Sequence, residues 1–70
     1  MKLKITKNVV VDYYNQRLNE IVDRSYRSGT LIEIGEYDDF ISNRGFTDVS
    51  FGNGDVIQGL PNNAYTVIRD

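Results

Sequence analysis

Apolar and polar residues alternate most regularly between Phe46 and Leu60, FTDVSFGNGDVIQGL. Thr47, Val49 and Phe51 fall on one face and Phe46, Asp48 and Ser50 on the other, the period of two of a half-buried strand. Gly52-Asn53-Gly54 interrupts the pattern with residues that tolerate positive φ, and Asp55 to Gln58 resume it, so the stretch predicts a hairpin. Upstream, KLKITK (2–7) alternates with Leu3 and Ile5 inward, and VVVDYY (9–14) continues as strand after Asn8, rich in β-branched and aromatic residues. Residues 15–29, NQRLNEIVDRSYRSG, predict a long excursion anchored to the core by Leu18 or Ile21. Leu18, Ile21 and Val22 also have helical spacing, which makes a short helix over 15–23 the competing reading, although such a helix falls below the ~12 residues that fold readily. Thr30 to Tyr37 reads as a strand with Ile32 and Ile34 in the core and Gly35 at a bulge or close approach. Residues 38–45 read as a polar loop, Pro61 to Ala64 as a single turn, and Tyr65 to Ile68 as a last strand.

Five short strands with regular turns and no long helix predict one all-β domain over residues 1–70, a small barrel. A chain of 70 residues buries only about 60 % of its unfolded surface, so this core carries nearly all the stability. With no Cys and no His there is no disulfide, no thiolate or imidazole ligand, and no imidazole base for Ser25, Ser28, Ser42 or Ser50. The longest apolar run, Val9 to Val11, is far short of the ~20 residues of a membrane helix, and no signal-peptide core is visible, so a cytoplasmic protein is expected.

Eight basic and ten acidic residues give a net charge of −2, which disfavours a general nucleic-acid binder. The charges are unevenly placed. Lys2, Lys4 and Lys7 lie on the first strand, where they also protect an edge from pairing. Asp38, Asp39, Asp48 and Asp55 fall in the second half, so a small basic edge facing an acidic face is one arrangement open to the chain. Glu36, Asp38 and Asp39 lack the fixed offsets of a cation loop, and Gly52-Asn53-Gly54 lacks the Lys-Ser/Thr and helix of a phosphate loop. No metal or cofactor is expected. Five tyrosines, Tyr13, Tyr14, Tyr26, Tyr37 and Tyr65, exceed what so small a core can enclose. Tyr13 and Tyr14 are adjacent and point to opposite faces, and Phe46 lies opposite the core positions of its strand. Exposed rings of this kind suit an interface.

Three segments resemble SH3 domains. Val9 to Tyr14, VVVDYY, is similar to the Ala-Leu-Tyr-Asp-Tyr signature, with Asp12 and Tyr13 matching and Val11 in place of a tyrosine. LNEIVDRSYRSGTLIEI resembles the acidic loop leading to Ser-Phe-x-x-Gly, with Ser25, Tyr26 and Gly29 in those places. Gly59-Leu60-Pro61-Asn62-Asn63-Ala64-Tyr65 resembles the Gly-Leu-Ile-Pro-Ser-Asn-Tyr ending, with either Pro61 or Tyr65 in register. The style also resembles small SH3-like proteins of bacteriophages. The resemblance implies a five-stranded SH3-like barrel with a long loop after the first strand and a 3₁₀ turn before the last. It also implies a groove that holds an extended peptide on aromatic rings beside loop acids. The residues so implicated are Tyr13, Tyr14, Glu20, Asp23, Phe46, Pro61, Asn63 and Tyr65, with Phe46 where the family has a tryptophan.

The expected function is therefore a non-catalytic module presenting an aromatic surface to a protein or peptide. The rivals are a nucleic-acid binder using Lys2, Lys4, Lys7, Arg17, Arg24 and Arg27 with stacked tyrosines, and a small inhibitor or accessory subunit acting by edge-strand pairing, with a homodimer as one form.

Overall fold

The computed structural model describes residues 1–69, and its elements follow the alternation of the sequence. Among the described residues eight strands run in chain order: β1 (Lys2–Ile5), β2 (Val9–Asn15), β3 (Glu20–Tyr26), β4 (Leu31–Glu33), β5 (Asp39–Ser42), β6 (Phe46–Ser50), β7 (Val56–Pro61) and β8 (Tyr65–Ile68). A 3₁₀ turn, Asn62–Ala64, joins β7 to β8. All pairings are antiparallel, within a three-stranded sheet ordered β4-β1-β8 and a five-stranded sheet ordered β3-β2-β7-β6-β5.

The inward positions of both sheets meet in one core. Leu3, Ile5 and Ile32 come from the smaller sheet, and Val11, Tyr13, Val49, Ile57 and Leu60 from the larger, with Ile34 beside them. Thr47 is the one fully buried polar side chain among the described residues. Its Oγ1 donates to Asn62 Oδ1 at 2.6 Å and so accepts from the Tyr65 hydroxyl at 2.6 Å, which ties β6 to the 3₁₀ turn and β8. The Tyr65 ring stands edge-on to Phe40, with centroids 6.0 Å apart.

The all-β class, the inward Leu3, Ile5, Ile32 and Ile34, the 46–60 hairpin and the late 3₁₀ turn match the sequence reading. The strand count does not: eight strands replace five. The expected first strand breaks at 6–8 into β1 and β2, which enter different sheets. The expected excursion over 15–29 folds into β3, paired with β2 from Val9↔Tyr26 to Asn15↔Glu20 around a turn at 16–19. No helix forms over 15–23. Leu18 and Ile21 do not anchor anything, being 55 % and 60 % exposed. β3 is an edge strand with six of its seven residues exposed, so burial never imposes a period of two on its sequence. The expected strand over 30–37 keeps only Leu31–Glu33. Gly35 lies in the turn that follows rather than in a bulge, and the expected loop over 38–45 contains β5. Pro61 ends β7 opposite Phe46 and at the same time caps the start of the 3₁₀ turn. The lysines of β1 lie on the central strand of their sheet, not on an edge. The two sheets share no strand, so the expected closed barrel is instead an open pair of sheets.

Candidate functional site

Three aromatic rings converge where two turns meet. Tyr13 projects from β2, Phe51 follows β6, and Tyr37 sits in the turn between β4 and β5. With Asp38, Gly52 and Asn53 they line an open groove of about 520 Å³. Tyr37 is the most exposed large ring, at 82 %, whereas Tyr13 is only 8 % exposed and forms the groove's fixed wall.

Two aspartates hold this geometry. Asp38 accepts the Gly35 N–H at 2.7 Å and the Gly52 N–H at 2.8 Å, joining the Tyr37 turn to the turn after Phe51. The backbone bond with Gly35 first, and that with Gly52 second, hold its carboxyl below the usual carboxylate range. The two turns approach so closely that a Cβ on Gly52 would lie 3.0 Å from Tyr37 Cβ and 3.2 Å from the Tyr37 carbonyl oxygen. Asp55 accepts the Tyr13 hydroxyl at 2.6 Å and the Gln16 N–H at 2.9 Å, tying the β6–β7 turn to the β2–β3 turn. The Tyr13 bond is the main cause that lowers the Asp55 carboxyl. Burial, and then the same bond, push the Tyr13 hydroxyl up to about 12. The Arg24 guanidinium lies 3.7 Å from the centroid of the Tyr13 ring, covering the ring side nearest β3. Gly54 completes the frame at φ +97°, with space for a Cβ closed by Gln16 Cγ at 2.7 Å.

The structure divides the sequence-predicted residues between places. Tyr13 alone lies in the groove. Tyr14, half-buried, donates to Asn19 Oδ1 at 2.8 Å on the opposite face of β2. Glu20 and Asp23 are exposed on β3, on opposite faces of that strand. Phe46, 42 % exposed, pairs with Pro61 on the outward face of the larger sheet and takes no part in the groove, contrary to the tryptophan position given it by the resemblance. Asn63 is exposed on the 3₁₀ turn, and Tyr65 is committed to Thr47 and Phe40. Of the cations considered for nucleic acid, Lys2 pairs with Glu33 at 3.8 Å and Arg24 covers Tyr13.

Sequence reasoning missed Tyr37, Asp38, Phe51, Gly52 and Asn53 as one site. The available signal was an Asp beside a Tyr in one turn and a Gly beside a Phe in another, and only the pairing of β5 with β6 makes these neighbours. Among the described residues no three carboxylates converge to hold a metal ion, and no helix is long and apolar enough to cross a membrane. Comparison of the chain with models of protein families, with curated proteins and with solved structures finds no match.

Proposed function

We propose that the protein is a non-catalytic binding module whose Tyr13–Tyr37–Phe51 groove takes an extended apolar segment of a protein or peptide partner. The observation that carries this reading is the groove itself: three rings on an open surface whose walls are fixed by Asp38 and Asp55. Rigid aromatic faces bind with little loss of side-chain freedom, and a preformed groove limits the cost of ordering. The two carboxylates are held ionised by donors that stay in place, which makes them poor proton carriers near neutral pH and favours a framework role over acid–base chemistry.

The reading retains the likeness to SH3-like folds. The stretch likened to that family's acidic loop, from Leu18 onward, forms β3 and the turn that leads to β4. The path from β4 to β5 crosses from one sheet to the other, and the 3₁₀ turn precedes the last strand.

The test is fluorescence anisotropy with two labelled, blocked ten-residue peptides, one of proline with a single arginine and one alternating leucine and serine. Binding of at least one is expected, weakened tenfold or more by Tyr37→Ala, which corresponds to about 1.4 kcal/mol. Tyr37 is exposed, so this variant keeps its fold. Absence of binding by both peptides at millimolar protein, or equal binding by wild type and Tyr37→Ala, would overturn the proposal.

A further inference from the structure

The register of the five-stranded sheet sorts its side chains into two faces. Val11, Tyr13, Thr47, Val49, Ile57 and Leu60 face the core. The alternate positions face outward, and a row runs from Asp23 on β3 to Asp12 on β2 and Gln58 on β7 and, across the irregularity in the β6–β7 pairing, to Asp48 on β6 and Ile41 on β5. A neighbouring row carries Ile21, Tyr14, Val56, Ser50 and Asp39. Among the described residues, no lysine or arginine occupies an outward position on any of these five strands. The chain's eight basic residues all lie elsewhere: on β1, in turns, beyond β8, or, for Arg24, against Tyr13.

Two features of this face do nothing for folding. Asp12 and Asp23 stand directly opposite each other across β2 and β3, a like-charge cross-strand pair that costs stability. Neither side chain, nor that of Asp39, has a hydrogen bond or ion pair among the described residues, whereas Asp48 accepts the Gly59 N–H at 2.9 Å. Beside the carboxylates, Val10, Ile21, Ile41 and Phe46 stand 62 %, 60 %, 48 % and 42 % exposed. Strands about 4.8 Å apart spread the row over roughly 14 Å from Asp23 to Asp48. That separation suits several cationic side chains of one segment and not a single ion.

We propose that this outward face, distinct from the aromatic groove, docks a lysine- or arginine-rich segment of a partner protein. Its carboxylates pair with the cations and its apolar side chains cover the aliphatic stems between them.

The probe is a blocked eight-residue peptide alternating lysine and leucine, with the glutamate-for-lysine peptide as control, followed by ¹H–¹⁵N correlation spectra. The lysine peptide is expected to shift amides of Val10, Asp12, Ile21, Asp23 and Asp48 in a salt-dependent way, while the control shifts none. Asp12→Asn with Asp23→Asn is expected to weaken binding at least tenfold with an unchanged or higher melting temperature. Glu33→Gln with Glu36→Gln removes the same charge off this face and is expected to weaken it threefold or less. Tyr37→Ala is expected to leave it unchanged, which separates this face from the groove. Equal loss in the two double variants, shifts confined to other surfaces, loss in Tyr37→Ala, or self-association of the free protein abolished by Ile21→Thr would each overturn the proposal.

Discussion

Asp38→Ala removes the clamp between the two turns that build the groove. Two charge-assisted hydrogen bonds disappear, to Gly35 N at 2.7 Å and to Gly52 N at 2.8 Å. Such bonds contribute about 1.5–3 kcal/mol each when dry, but this carboxylate is half-buried, and the freed N–H groups regain water. About 0.5–1 kcal/mol each is the appropriate discount, so the expected loss is about 1–2 kcal/mol. For a domain of this size that lowers the melting temperature by roughly 5–15 °C. The loss depends on pH with a definite sign. The native carboxyl is held below the ordinary range, so its contribution is complete above the ordinary carboxylate value and disappears as pH falls through the lowered native value. Urea unfolding of wild type and variant, followed by circular dichroism between pH 2 and pH 7, measures the difference directly. It should be full near pH 6 and shrink toward the acid end of the range as the carboxyl loses its charge. A difference below about 0.3 kcal/mol at pH 6, or one that stays constant across the range, would refute the clamp.

Thr47→Val removes the buried hydroxyl that joins Asn62 Oδ1 to the Tyr65 hydroxyl, which keep only their own 3.4 Å bond, and is expected to cost about 1–3 kcal/mol in urea unfolding; a cost under about 0.5 kcal/mol would remove Thr47 from that role. Gly54→Val, at φ +97° and against Gln16, is expected to cost more than about 1 kcal/mol, and a neutral result would contradict the turn geometry. In an absorbance titration of the five tyrosines, one is expected to ionise last, near pH 12, and to vanish from the curve in Tyr13→Phe. Because the native Tyr13 value lies above the ordinary one, its contribution to stability is complete below pH 10 and is lost as pH rises through about 12, so wild type and Tyr13→Phe should converge in stability there.

The sequence was most legible where one face of a strand is buried. Leu3, Ile5, Thr47, Val49 and Ile57 stand at alternate positions because the core removes every second side chain from water. β3 was illegible for the converse reason. It is held by backbone pairing with β2, with only Tyr26 packed against the core and Arg24 laid over the Tyr13 ring, and the exposed Leu18–Ile21–Val22 spacing at its start mimics a helix face without forming one. β5 was hidden by its length, four residues of which only Phe40 packs against the core. Tyr13, which lines the groove, was legible as a candidate from its flanking motif. Tyr37 and Phe51 were not, because the contact that joins their turns is an Asp38 side chain bridging to the Gly52 backbone, 14 residues away, and no local pattern records it. Phe46 was rightly placed outside the core, but the groove lies at the other end of its strand.

The central claim is that the aromatic groove is the place where a partner's extended segment lies. The most direct measurement is a titration of ¹⁵N-labelled and aromatic-¹³C-labelled protein with the two groove peptides. The account predicts that Tyr37, Phe51, Gly52 and Asn53 signals move together along one saturable curve while Phe46 and Tyr65 signals stay still. Movement centred on Phe46, Pro61 and Asn63, with the Tyr37 and Phe51 rings unaffected at saturation, would contradict it.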